Sequence, residues 1–407
     1  MNGGREAVTL AHRAEWARLV AVLTRRFGDL DIAEEAAAET FAAAVERWPA
    51  DGVPPNPGAW LTTTAIRKAI DRLRREGKRD DKHREARLVH DNARHEPPGA
   101  IDDERLRLIF TCCHPALAME ARVALTLRMM GGLTVSEIAS AFLVRESTMG
   151  QRITRAKAKI KAARIPYRVP SAEDLPRRVS GVLAVLFLVF NEGYLATGSR
   201  TDPVRDELTA EAIRLTRLIR ALLPDDGEAA GLLALMLLTE ARREARVSPD
   251  GELVPLGEQD RESWNPELIA EGHRLVRERL ATGMAPGRYQ ILAAINAVHT
   301  SAKTVADTDW SQVVALYDLL VRLDPSPIVA LNRAIAVAEL DGPEAGLAIV
   351  DRLEDKLAGY HAYHAARAEL LRRLGLEQAR SAYDAAIELA GNTAEAAYLI
   401  RRRDQPG

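Results

Sequence analysis

The stretch TVSEIASAFLVRESTMGQRITRAKAKIK, Thr134 to Lys161, decides how this chain is read. Thr134 and Glu137 stand at capping-box spacing, which predicts a helix start at Thr134. Val135, Ile138, Ala139 and Phe142 give that helix one apolar face. A turn is expected around Leu143, Val144 and Arg145. A second helix follows, with Arg152, Arg155, Lys157, Lys159 and Lys161 and no acidic residue after Glu146. Two short helices joined by a tight turn, the second cationic, form a helix-turn-helix. Such a motif lays its second helix in the major groove of DNA, where cations meet phosphates and polar side chains reach base edges.

Around this motif the composition is that of an ordinary helical protein. The 407 residues leave room for two or three domains, with 47% hydrophobic and 28% charged residues. Aromatics are 5%, Ala, Leu, Arg and Glu abound, and no run of alternating β-branched residues predicts a sheet. The net charge is only −2, but it is unevenly placed. Asp29, Asp31, Glu34, Glu35, Glu39 and Glu46 stand without a base among them. Residues 67 to 79 carry Arg67, Lys68, Arg72, Arg74, Arg75, Lys78 and Arg79 against Asp71 and Glu76. Local sign, not the total, matters for a nucleic-acid binder.

The two cysteines, Cys112 and Cys113, are adjacent and cannot readily pair with each other, which fits a reducing cytoplasm. With His114 they are too few for a zinc site, so they read as small buried hydrophobes, and no metal or cofactor is expected. His361 and His364, one turn apart beside Tyr360 and Tyr363, read as a packed helix face. The N-terminus lacks an apolar signal core. The longest apolar run, Val182 to Phe190, is too short for a bilayer and reads as a core helix, so no membrane partner is expected.

Four blocks follow from the punctuation. Residues 5–80 are helical, broken by a loop at Asp51 to Gly58, where three prolines and two glycines cluster. Residues 81–100 are polar, end in Pro-Pro-Gly and read as a flexible linker. Residues 101–164 hold the helix-turn-helix, and 165–176 form a proline-marked connector. Residues 177–407 carry an internal repeat. Ala345 and Ile349 precede Ala379 and Tyr383 by 34 residues, Ala386 follows, and Val313, Tyr317, Leu320 and Pro325 make a further copy. The extension therefore reads as TPR-like.

Within the first block, the acidic segment from Asp31 places Ile32, Ala36, Phe41, Ala44 and Trp48 inward and Asp31, Glu35 and Glu39 outward. After the loop, Trp60, Leu61, Ala65, Ile66, Ala69, Ile70 and Leu73 are spaced for burial while the bases project. Four motifs in this order, D-x-A-E-E-x-x-x-E-T-F (31–41), A-W-L-T-T-T-A (59–65), A-I-D-R-L-R-R (69–75) and G-L-T-x-x-E-I-A…T-x-x-Q-R-x-x-R-A-K (132–157), resemble the extracytoplasmic-function sigma factors of bacterial RNA polymerase. The long extension, with Asn191, Glu192 and Tyr194 near its start, resembles that of a subgroup carrying a fused TPR-like domain. The resemblance implies an all-α chain: a sigma region 2 domain, a helix-turn-helix region 4 domain and a TPR-like regulatory extension.

It also implies partners and roles. Core RNA polymerase would dock on Asp31, Glu35, Glu39 and Phe41. The loop 49–58 would capture a flipped base of the −10 element, at a cost of a few kcal/mol in unstacking. The following helix, with Trp60, Thr63, Arg67, Lys68, Asp71, Arg72 and Arg75, would track the melted strand. Gly150, Gln151, Thr154 and Arg155 would face bases of the double-stranded −35 element, while Arg152, Lys157 and Lys159 would hold phosphates. The linker would let both domains engage one promoter together. The polymerase performs the chemistry, so no catalytic residue is implied. The extension would act as a built-in regulator that senses a protein or peptide ligand, either holding the two DNA-binding domains shut or, the favoured reading, adding contacts required for activity; Asn191, Glu192 and Tyr194 read equally as a polar contact point or as packing. Arg401, Arg402 and Arg403 read as a solvated tail. Three positions depart from the family's usual pattern: Arg67 where Asn is common, Gly150 where a long polar residue is common, and Leu143 in place of a turn glycine. The alternative reading is a TPR-sensor helix-turn-helix regulator that binds DNA without polymerase.

Overall fold

The computed structural model describes residues 2–77, 104–142, 144–194, 206–248, 253–390 and 393–405. The expected linker, 81–100, and turn residue Leu143 lie outside them. Among the described residues the chain is helical, with one isolated antiparallel bridge between Val247 and Leu253. It divides into two compact units, Met1–Leu186 and Phe187–Gly407.

The first unit begins with α1 (Asn2–Phe27), α2 (Leu30–Asp51) and α3 (Pro57–Gly77). Asp29 caps α2 by accepting from the backbone N–H groups of Asp31 and Ile32. Pro49 does not stop this helix, because it sits in the last turn; Gly52, at φ 85°, ends it by donating to the Trp48 carbonyl. The expected loop 49–58 is therefore shorter and spans 52–56 between the two helices. Pro57 opens α3, where a missing N–H costs no helical bond. Next come α4 (Glu104–Cys112), α5 (Met119–Thr126), a π-helical turn Leu127–Gly131, α6 (Val135–Ala141) and α7 (Glu146–Ala162). The Thr134–Glu137 capping box forms with both of its bonds. The cysteines at the end of α4 are buried thiols, Cys113 lying 3.3 Å from the Thr126 hydroxyl, and burial pushes its pKa up to about 11.

The sequence blocks 5–80 and 101–164 do not stand apart. Helix α1 packs on α2, α3, α4 and the π turn. Gly132, at φ 73°, lets the chain turn beside His12 and Trp16, where a Cβ would fall 2.9 Å from the Trp16 ring. Tyr167 of the connector reaches both halves: its hydroxyl donates to the Ala21 carbonyl at 2.9 Å and lies 3.3 Å from that of Glu104. Arg178, in the first part of α8 (Leu175–Tyr194), donates to the Phe110 carbonyl at 2.5 Å.

The second unit takes the rest of α8, then α9 (Asp206–Leu222) and α10 (Gly227–Glu240). Helix α10 is buried on every side from Ala229 to Thr239, and packs on α9, α11 (Pro266–Leu280) and α12 (Arg288–Ser301). Sequential helices then stack: α13 (Trp310–Leu323), α14 (Pro327–Asp341), α15 (Pro343–Asp351), the single turn α16 (Glu354–Leu357), α17 (His361–Arg373), α18 (Gln378–Glu388) and α19 (Thr393–Asp404). They share cores with their neighbours: Ile295, Val313, Leu320 and Val329 in one, Ala338, Val350 and Tyr363 in the next, Leu371, Tyr383 and Ala386 in the last. Tyr383 and Ala386 are buried in the last of these cores. The close approach between α14 and α15 falls at Gly346 against Ala338, one residue beyond Ala345.

One expectation changes here. Arg402 and Arg403 are not a solvated tail. Arg402 pairs with Glu369 at 2.9 Å and Arg403 with Asp384 at 2.8 Å, because α19 carries them back over α17 and α18. His364 Nε2 donates to the Ala358 carbonyl, 2.8 Å away, and His361 lies 4.0 Å from Glu395.

Candidate nucleic-acid interface

Helix α7 has two faces with different fates. Met149, Ile153, Ala156 and Ile160 recur at helical spacing and are buried. Gln151, Thr154, Arg155 and Lys159 are exposed, and Arg152 is half-buried. Gln151, Arg155 and Lys159 stand four residues apart, so they form one outer edge. A groove of about 320 Å³ runs beside them, walled by Leu117, Ala118 and Ala121 and bordered by Gln151, Arg155 and Lys159. Gly150 is half-buried, and a Cβ there would lie 3.8 Å from Val135, an ordinary contact distance.

Lys157 points elsewhere. Its side chain is only 11% exposed, and its ammonium donates to Asp31 at 2.7 Å and to the carboxylate of Glu34. Burial works against the charge, yet Glu34 and Asp31 outweigh it and hold the Lys157 pKa above the ordinary range. The expected phosphate contact at Lys157 is therefore corrected for this conformation: the cation faces the acidic helix, not solvent. Glu34 also accepts from Arg128 Nε at 2.5 Å, and Lys161 reaches Asp29 at 3.4 Å. A further ion pair joins Arg25 of α1 to Glu104 of α4. Thus Asp31 and Glu34 of α2 are engaged by the cations of α7 and of the π turn.

The remaining acidic positions turn to α3. Glu35 pairs with Arg72, and Glu39 pairs with Arg72 at 3.2 Å and Lys68 at 3.7 Å. Desolvation raises the Glu35 pKa and Arg72 opposes it. Phe41, expected at a docking surface, is 6% exposed and packs between His12 at 4.8 Å and Trp16 at 5.9 Å. An aromatic in the inward stripe of α2 cannot also face a partner, so that assignment is corrected. Along α3, Thr63, Arg67, Asp71 and Arg75 are exposed, and the Arg75 Nε donates to the Asp71 carbonyl at 3.3 Å. Trp60 is half-buried, edge-on to Trp48 at 5.6 Å.

In the extension, Asn191 is exposed and Glu192 partly so. Gly193 brings α8 against α9: a Cβ there would fall 2.7 Å from the Thr209 nitrogen. Tyr194 stacks on Phe190, and Arg246 both covers its ring and donates to its carbonyl at 2.7 Å. Gly193 and Tyr194 thus serve packing.

Sequence reasoning missed Glu34, Arg128 and Tyr167 as organising groups. Glu34 was visible only as one member of an acidic run; nothing local marks it as the buried one. Among the described residues no three His, Cys, Asp or Glu side chains gather as a metal site would require, and no helix is long and apolar enough to cross a membrane.

Comparison with known proteins matches residues 13–79 to Sigma-70 region 2 and residues 107–160 to Sigma-70 region 4. Residues 178–280 match a family of unknown function, DUF6596. The uncharacterized protein R00370 of Rhizobium meliloti (strain 1021) is 43% identical over 389 residues, 94% of this chain and 92% of that protein. The probable ECF RNA polymerase sigma factor SigI of Mycobacterium tuberculosis is 27% identical over 173 residues, 41% of this chain and 59% of that protein. No solved structure matches the chain.

Proposed function

The chain belongs to the sigma-70 family of sigma factors, and from that premise we propose how its parts divide the work of transcription initiation. It resembles the extracytoplasmic-function group in carrying a region 2 and a region 4 ahead of its extension. Helix α2 docks on core RNA polymerase through Asp31, Glu35 and Glu39. Residues 52–56 and the outer face of α3 engage the melted −10 strand. Gln151, Thr154 and Arg155 read the −35 duplex from the major groove, with Arg152 and Lys159 on phosphates.

The observation that carries this reading is the charged architecture of the first unit. An acidic helix and a cationic helix are followed by a helix-turn-helix whose outer edge presents Gln151, Arg155 and Lys159. A DNA-binding regulator that ignores polymerase needs only the last of these. In the arrangement described here the acidic helix holds Lys157 and Arg128, so we take it as the resting form. Docking and promoter binding would exchange these internal pairs for external ones. The extension regulates that exchange by binding a protein or peptide along its stacked helices.

Reconstitution tests the assignment. With core polymerase and a promoter library, the chain is expected to form open complexes that core polymerase alone does not. If yields are the same with and without it, the polymerase-independent regulator is the better reading. A variant ending at Tyr194 reads the role of the extension: loss of transcription marks a required element, and a gain marks an inhibitor.

A further inference from the structure

Around the indole of Trp264 the second unit gathers guanidinium groups. Arg261 lies 4.7 Å from the ring centroid and Arg242 6.0 Å. Both hold to one side of α12: Arg242 donates to Asn296 Oδ1 at 3.4 Å, and Arg261 to the carbonyls of His299 and Ala302 at 2.7 and 2.6 Å. Arg246 follows Arg242 by four residues and is fixed on Tyr194. Arg242 and Arg246 are 8% and 6% exposed.

Among the described residues, none of these three arginines has a carboxylate within 4.0 Å. The nearby acids are committed elsewhere. Glu240 pairs with Arg243 at 3.0 Å, and Asp307 accepts from the Thr304 nitrogen and hydroxyl at 3.0 and 2.8 Å. Burying cations without counter-charge is costly. Two buried donors of the cluster, Arg242 Nε and Trp264 Nε1, also have no acceptor among the described residues. The neighbourhood is cationic enough that burial, with Arg242 and Arg261, depresses the His299 pKa to about 4.

We propose that this cluster is a binding site for an oxyanion, the phosphate or carboxylate group of a small molecule, held by Arg242 and Arg261 against Trp264. An oxyanion supplies what the site lacks: negative charge and several acceptor lone pairs for converging donors. The site lies in the extension and stands whether or not the chain acts on polymerase. A purely packing role for the arginines predicts that no anion binds there saturably.

The full chain is titrated with sodium phosphate and, separately, sodium malonate, with sodium chloride holding ionic strength constant. Calorimetry and tryptophan fluorescence are the readouts. The expected result is saturable one-site binding of one of these anions, and the anion that binds identifies the chemistry. Arg242→Gln should weaken it by about 10- to 100-fold, the loss of a charge-assisted hydrogen bond. Arg274→Gln, on the exposed face of α11, should leave it unchanged. Trp264→Phe should abolish the fluorescence change while heat is still released. Arg261→Lys serves as the second variant if circular dichroism shows Arg242→Gln unfolded. Absence of saturable binding by the wild-type chain overturns the proposal, as does wild-type affinity in folded Arg242→Gln and Arg261→Lys.

Discussion

Lys157, on the cationic helix α7, donates to the buried carboxylate of Glu34 on the acidic helix α2. Glu34 is thereby shared with Arg128, and Lys157 with Asp31. These groups lie on or beside the two helices proposed to engage polymerase and promoter, and Asp31, proposed to dock on polymerase, is held by Lys157, so that internal pair competes with the external one. Removing one member of a buried pair strands the others. Glu34→Gln should lower the stability of the first unit by about 3 kcal/mol. A double-mutant cycle with Lys157→Met should return a coupling of about 1–3 kcal/mol. Urea denaturation measures both; a coupling indistinguishable from zero would show that the pair holds nothing together. In the proposed resting form, Glu34→Gln should also bind core polymerase faster than wild type.

The second unit should lose stability in mild acid. Burial, with Arg242 and Arg261 adding to it, brings the His299 pKa down from 6.5 to about 4. A group whose folded pKa is depressed contributes stability above its unfolded value, and that contribution is lost as pH falls through the folded one. The window therefore opens near pH 6.5 and closes near pH 4. The loss across it should be about 3 kcal/mol for this one group. Replacing His299 by Gln should flatten the dependence in that window. An unchanged pH profile in folded His299→Gln protein would assign the acid sensitivity to other groups.

The features that were legible in the sequence are local ones. The capping box at Thr134 and Glu137, the inward stripe of α7 and the repeat residues Tyr383 and Ala386 depend on spacing along one or two helices. Each is formed as its spacing requires. What escaped depends on residues far apart in the chain. Glu34 and Lys157 are 123 positions apart, and Tyr167 reaches Ala21 across 146. The charge pattern of α2 and of α7 states that each has a polar face, but not that the two faces meet. Phe41 erred in the same way: a motif position suggested a surface, while its place in the inward stripe of α2 put it beside Trp16. Pro49 reads as a breaker, yet at the last turn of a helix it has little to break.

Gly193 offers a test of the helix contact at the head of the extension. A methyl there would meet the Thr209 nitrogen at 2.7 Å and the Leu208 Cβ at 2.9 Å, groups of α9 that cannot rotate away. Gly193→Ala should therefore force α8 and α9 apart and destabilise the second unit by about 1–3 kcal/mol, the usual range for overpacking. The helix propensity of Ala works in the opposite direction by about 1 kcal/mol. A thermal melt decides between them: a raised transition temperature would mean that the contact yields easily and that Gly193 is placed there for another reason. Asn191, exposed two residues earlier, supplies the contrast, since Asn191→Ala should leave the melt unchanged.

Arg155 and Lys159 lie one turn apart on the same exposed edge of α7, yet their chemistry differs. The guanidinium of Arg155 can bond two acceptors of one guanine at fixed angles, whereas the ammonium of Lys159 is a point charge suited to phosphate. Arg155→Ala should cost about 1–3 kcal/mol on the preferred −35 sequence and much less on others, so base preference relaxes. Lys159→Ala should weaken binding to all sequences alike and reduce the slope of log affinity against log salt by about one. The measurement is fluorescence anisotropy of the full chain with core polymerase on a panel of −35 duplexes, repeated over a salt series. If both substitutions change affinity uniformly, Arg155 belongs with the phosphate contacts and Gln151 becomes the remaining candidate for reading bases. If Lys159→Ala alters preference instead, α7 enters the groove rotated from the orientation assigned here.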